Sequence, residues 1–94
     1  MKIAVVILNW NGRKFLEEFL PGVIAHSKDI AEIIIADNNS SDASLDYLEK
    51  NHPRIRTIKL EDNFGFARGY NLALKQIEAD YYVLLNSDIE VTPN

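Results

Sequence analysis

Ile3-Ala4-Val5-Val6-Ile7-Leu8-Asn9-Trp10-Asn11-Gly12 is an unbroken apolar run that stops at a cluster of amides and a glycine. The run has strand length, is rich in β-branched residues and does not alternate apolar with polar positions. That pattern fits a strand covered on both faces, as in a parallel sheet with helices on either side. Lys2 followed by an apolar stretch superficially resembles a signal peptide. The stretch meets Asn9 too early for that, so a core strand is the better reading.

Three more strand-like runs follow, at 32–36, 55–60 and 81–85, the last a buried-looking Tyr81-Tyr82-Val83-Leu84-Leu85. Helical spacing fills the intervals. Phe15, Leu16, Phe19 and Leu20 share one face opposite Arg13, Lys14, Glu17 and Glu18. Pro21-Gly22 is expected to kink or restart this helix before Val23 and Ile24 continue its apolar face. A second helix is expected from Ser41 or Asp42 as cap, through Leu45 and Leu48, to about Lys50. Asn51-His52-Pro53 ends it. A third carries Phe66, Tyr70, Ala73, Leu74 and Ile77 on one stripe. Strand and helix in strict alternation give a parallel sheet with right-handed crossovers. The expectation is a Rossmann-like α/β three-layer sandwich forming one domain over residues 1–94.

At 94 residues the chain can bury a core without disulfides, and it contains no cysteine for a disulfide scaffold or a thiolate zinc site. A net charge of −4 argues against general nucleic-acid binding, which needs clustered Lys and Arg. No stretch approaches the roughly 20 apolar residues that span a bilayer. Thr92-Pro93 reads as a helix start just before Asn94, which suggests either a frayed tail or a larger protein cut short.

The polar residues gather at strand ends: Asn9-Trp10-Asn11-Gly12, Asp37-Asn38-Asn39-Ser40-Ser41-Asp42, Asn63, and Asn86-Ser87-Asp88. In a parallel sheet these share one rim, where open α/β proteins bind ligands. Each residue also has a plainer reading. Asn9 and Asn11 serve equally well as turn and cap residues, and Trp10 as packing rather than a stacking platform. Asp37 can accept from a ribose or base, or from backbone N–H groups in its own loop. The loop 38–42 holds enough small polar residues to form without a ligand, and Asp42 reads as a cap. Gly65 and Gly69 permit close backbone approach at a helix start suited to a diphosphate, but they make no dinucleotide fingerprint or P-loop. Arg68 either reaches a phosphate or is solvated. Asp88 is the strongest single candidate, because Mg²⁺ or Mn²⁺ takes one or two carboxylates and completes its shell with phosphates and water. A simple turn is its alternative. His26 and His52 read as surface residues remote from this rim.

These motifs, in this order and spacing, resemble the N-terminal half of family 2 glycosyltransferases, and the resemblance covers essentially the whole chain. It implies a GT-A fold with strand order 3-2-1-4 and a nucleoside-diphosphate-sugar donor as ligand. It also implies that Asn9, Asn11, Asp37, Asn39, Asn63, Arg68, Asn86, Ser87 and Asp88 form the donor site, with Asp88 on a divalent metal, Mg or Mn. Asn86 stands where the family's Asp-X-Asp motif usually has its first Asp. The implied reaction is inverting transfer to a glycan, lipid or other acceptor hydroxyl, in a cytoplasmic parent at most peripheral to the inner face of the membrane. The general base is expected beyond Asn94, so the 94-residue chain alone is expected to be inactive. Loss of later strands would expose a sheet edge and favour self-association. Two other classes are weighed: a non-catalytic nucleotide-binding or interaction module, and a phosphoacceptor signalling domain with Asp37 as nucleophile. The first would bind nucleotide without metal; the second would accept phosphate from acetyl phosphate.

Overall fold

A computed structural model describes residues 1–27 and 29–86, with Phe66 described in its backbone alone. The elements run β1 (Ile3–Asn9), α1 (Arg13–Ser27), β2 (Glu32–Asp37), α2 (Ser44–Asn51), β3 (Arg56–Lys59), α3 (Gly65–Leu74) and β4 (Tyr81–Asn86). The four strands form one sheet in the order β3-β2-β1-β4, and every pairing is parallel.

Alternate side chains of one strand enter different layers, because successive Cβ atoms point to opposite faces. Ala4, Val6 and Leu8 of β1 join Ile34, Ala36, Ile58, Tyr70, Ala73 and Ile77 beneath α3. Val5 and Ile7 join Ile33, Ile35, Leu16, Leu20 and Leu48 beneath α1 and α2. This explains the absence of alternation in β1 and β2: both faces are core. Each fully buried Leu or Ile contributes roughly 1.5–3 kcal/mol, so the two clusters carry most of the driving force.

Four expectations shift in detail. Helix α1 runs through Pro21 without restarting. Leu16 and Leu20 are buried before the proline, and Val23 and Ile24 pack on the same cluster after it. Helix α2 begins at Ser44 rather than after Ser41 or Asp42. The N–H groups of Ser41 and Asp42 go to Asn11 Oδ1, at 2.7 and 3.1 Å, while Asp42 Oδ1 accepts from Ser44 N–H at 2.9 Å where the helix starts. Helix α3 ends at Leu74, and Ile77 reaches the core through a tighter turn in which Gln76 N–H donates to Ala73 O at 3.0 Å. Strand β4 forms as expected but is not buried: Tyr81, Tyr82, Val83 and Leu84 are 39 to 56% exposed. It pairs with β1 alone, and among the described residues nothing covers its outer edge.

His26 is exposed, whereas His52 is half-buried, with Nε2 3.3 Å from the Tyr47 hydroxyl. Thr92-Pro93 lies outside the described residues. Among the described residues no helix is long and apolar enough to cross a membrane.

Candidate functional site

The parallel register aligns the carboxyl ends of the strands. Asn9 stands opposite Asp37, Asp37 opposite Lys59, and Leu8 opposite Asn86. The sequence's scattered polar clusters therefore meet along one rim, at the position where open parallel sheets take ligands.

Asp37 is the centre of this rim and is only 1% exposed. Its Oδ1 accepts from Asn9 Nδ2 at 2.9 Å and from the Ser40 hydroxyl at 2.7 Å, and its Oδ2 accepts from Ser40 N–H at 2.9 Å. A carboxylate can be buried at this depth because its lone pairs are so engaged. Ser40 Oγ also accepts from Asn9 Nδ2 at 3.2 Å and from Asn11 N–H at 2.9 Å. The end of β1 is thereby tied to the loop after β2.

Asn11 closes the same junction from the other side. It adopts φ 52°, the left-handed region that Asn tolerates better than other non-glycine residues. This turn aims its Oδ1 at the N–H groups of Ser41 and Asp42. Asn39, at φ 63°, is likewise left-handed and is exposed at the loop tip.

Asn38 faces the third loop. Its Nδ2 donates to Asn63 Oδ1 at 3.0 Å and to Gly65 O at 3.1 Å, while its Oδ1 accepts from Phe64 N–H at 3.0 Å. Asn63 Oδ1 also accepts from Gly65 N–H at 3.0 Å, and Gly65 takes φ 77°, so the chain turns sharply into α3. Arg68 lies 4.9 Å over the Phe64 ring in an exposed cation–π contact. Trp10 is 42% exposed beside Asn11. Asn86 ends β4, while Ser87 and Asp88 lie outside the described residues.

The loop residues Asn38 and Ser40 were not among the candidates drawn from sequence. Their signal was weak there, because a run of small polar residues looks the same whether it ties loops together or only turns the chain. Among the described residues no buried side-chain polar atom lacks a partner. Clefts of about 310 and 350 Å³ lie beside α2, and neither is lined by Asn9, Asp37, Asn63 or Asn86. No group of three His, Cys, Asp or Glu among the described residues is placed to hold a metal ion. Among the described residues the rim's one buried carboxylate, Asp37, is already committed to internal donors.

Burial raises the Asp42 carboxyl, but hydrogen bonds from the Ser44 hydroxyl and N–H and from Arg13 N–H, together with the Arg13 charge, outweigh it. Its pKa is held below the ordinary carboxylate range. A depressed folded pKa adds stability that is present above the unfolded pKa and is lost as pH falls through the folded value. The stability gap between wild type and Asp42→Asn is therefore expected to be small at neutral pH and to close on acidification below about pH 4. Urea titrations at stepped pH measure it.

A parallel sheet flanked by helices, with its polar loops at the carboxyl ends of the strands, is a domain of the open α/β class. The chain belongs to glycosyl transferase family 2, whose family model matches residues 4–94. It is 34% identical over 89 residues to TuaG of Bacillus subtilis, a glycosyltransferase named for teichuronic acid biosynthesis; the match covers 92% of this chain and 35% of that protein. It is 30% identical over 93 residues to the poly(ribitol-phosphate) β-N-acetylglucosaminyltransferase TarS of Staphylococcus aureus, covering 94% of this chain and 16% of TarS. Among solved structures, TarS 1-349 in complex with UDP-GlcNAc superposes with a TM-score of 0.79 at 29% identity, over 94% of this chain and 27% of that one. A mannosyltransferase of Pyrobaculum calidifontis, in complex with GDP-Man and Mn²⁺, gives 0.78 at 20% identity, over 93% and 27%. The fold is thus the Rossmann-like part of a GT-A glycosyltransferase, in the strand order expected. The chain spans about a third or less of the length of these relatives.

Proposed function

We propose that residues 1–94 form a single domain that holds the nucleotide end of a nucleoside-diphosphate-sugar donor. The observation that carries the reading is the alignment of Asn9, Asp37, Asn38 and Asn86 along one strand-end rim in a chain of this family. In this reading Asn9, Asn11, Asp37, Asn39 and Asn63 build the base and ribose side, the buried members by shaping it and the exposed ones by contact. Arg68 and the start of α3 face the diphosphate, as suits a helix N-terminus. Asn86, Ser87 and Asp88 complete the site, with Asp88 as ligand of Mg²⁺ or Mn²⁺. Among the described residues no group of three His, Cys, Asp or Glu is placed for that ion, and Asp37 is engaged by internal donors, so the metal assignment rests on Asp88. Bound there, the metal would offset negative charge on the diphosphate.

The parent enzyme transfers the sugar, with inversion, to a hydroxyl of a glycan, lipid or other acceptor. Relatives named for wall-polymer synthesis support a glycan-building role. The corresponding location is cytoplasmic, peripheral to the inner face of the membrane where the acceptor is lipid-linked. The general base and acceptor pocket lie outside these residues.

Calorimetric titration with UDP, GDP and dTDP, with and without Mn²⁺, tests the reading. Binding is expected to strengthen with Mn²⁺, and Asp88→Ala is expected to lower that affinity about tenfold or more. Equal binding without metal would instead favour a non-catalytic nucleotide-binding module.

The exposed β4 edge supports self-association of the chain, because unpaired strand N–H and C=O groups beside apolar side chains template pairing with a second copy. Sedimentation over a range of concentrations is expected to show dimer. Val83→Lys, which places a charge on that strand, is expected to shift it to monomer.

A further inference from the structure

Ser40 touches three parts of the rim with one side chain. Its hydroxyl donates to Asp37 Oδ1 at 2.7 Å, accepts from Asn9 Nδ2 at 3.2 Å and accepts from Asn11 N–H at 2.9 Å. A serine hydroxyl has one proton and two lone pairs, so its bonding capacity is filled. Its own N–H fastens it to Asp37 Oδ2 at 2.9 Å.

The turn after β1 has no ladder to hold it. Asn11 is exposed and left-handed, and its N–H is fixed by Ser40 Oγ. The same oxygen accepts from Asn9 Nδ2, which also donates to Asp37. We infer that Ser40 is a positioning residue of the donor site, setting the Asn9 and Asp37 side chains and seating the Trp10-Asn11 turn against the loop after β2. The inference rests on the donor-site reading above.

Removing this hydroxyl separates positioning from mere stability. In Ser40→Ala, Asn9 Nδ2 and Asp37 Oδ1 still have each other, and the exposed Asn11 N–H can turn to water. Little is left buried and unpaired, so the fold loses little; the turn keeps Asn11 Oδ1 on Ser41 and Asp42 but loses its tie to Asn9 and Asp37. Ser44 is the matched control. It is fully buried and donates its hydroxyl to Asp42 rather than to Asp37.

The test titrates wild type, Ser40→Ala, Ser40→Thr and Ser44→Ala with UDP, GDP and dTDP in Mn²⁺, and follows the Asn11 amide by heteronuclear NMR. Ser40→Ala is expected to weaken nucleotide binding about tenfold without unfolding at a lower urea concentration than Ser44→Ala, and Ser40→Thr to restore binding to within about threefold. The Asn11 amide is expected to shift in Ser40→Ala, with or without nucleotide, and to return in Ser40→Thr. Unchanged binding in Ser40→Ala, an unmoved Asn11 amide, or an equal loss in Ser44→Ala would overturn the inference. If wild type binds none of the nucleotides, the donor-site reading itself fails, and a shifted Asn11 amide would then mark Ser40 as a structural link only.

Discussion

Asp37→Ala is expected to lose about 3–5 kcal/mol of unfolding free energy in a urea titration, the largest effect of any single rim substitution. The carboxylate is 1% exposed and takes three hydrogen bonds. Hydrogen bonds to a charged group contribute roughly 1.5–3 kcal/mol each, and a buried donor left without an acceptor costs about 1–3. Alanine takes the acceptor from Ser40 N–H, the Ser40 hydroxyl and Asn9 Nδ2 at once. The three bonds share atoms, so their contributions do not simply add, which keeps the expectation below their sum. Even so, the loss is large against the 5–15 kcal/mol typical of a whole domain. Asp37→Asn keeps the shape but turns an amide N–H₂ toward donors, and is expected to cost about 2 kcal/mol. A loss under about 1 kcal/mol for Asp37→Ala would mean that the network does not hold the rim.

The sheet was legible because its signal is coarse. A run such as Val5-Val6-Ile7-Leu8 has few ways to hide its side chains, and alternation with helices leaves one sheet type. The strand order came from the resemblance rather than from periodicity, and the observed β3-β2-β1-β4 agrees with it. What could not be read were competitions between nearby polar groups. Ser41 and Asp42 looked like helix caps; Asp42 Oδ1 does accept from Ser44 N–H at the start of α2, but the N–H groups of both residues go to Asn11 Oδ1, a residue about thirty positions earlier, and α2 starts later. Asn38 sat inside a stretch that reads as loop, and its role depends on Asn63 and Gly65 arriving beside it. The apolar run of β4 reads as buried, since such a run shows what could be buried and not what covers it, and its exposed edge was expected only from the resemblance.

Asn38→Ala is expected to cost about 2–4 kcal/mol, and its effect should depend on Gly69. The side chain is nearly fully buried and joins the loop after β2 to the start of α3 through Asn63, Phe64 and Gly65. Alanine leaves the Phe64 N–H without this acceptor and two oxygens without this donor. Gly69 packs against the same amide: a Cβ there would lie 3.1 Å from Asn38 Nδ2 and 3.1 Å from Leu8 Cδ1. Replacing a helical glycine by alanine gains about 1 kcal/mol of helix propensity, but overpacking costs typically 1–3. Asn38 is pinned by three bonds and Leu8 is a core residue, so neither yields easily. Gly69→Ala alone is therefore expected to lose about 1 kcal/mol net. With Asn38 already cut to alanine, the amide is gone and Leu8 can lean into its space, so the added methyl becomes neutral or mildly favourable. A double-mutant cycle should then give a coupling of about 1–2 kcal/mol in favour of the double variant. Simple additivity would show that α3 does not close on the strand ends through Asn38, and the helix start would then not be held where a diphosphate could meet it.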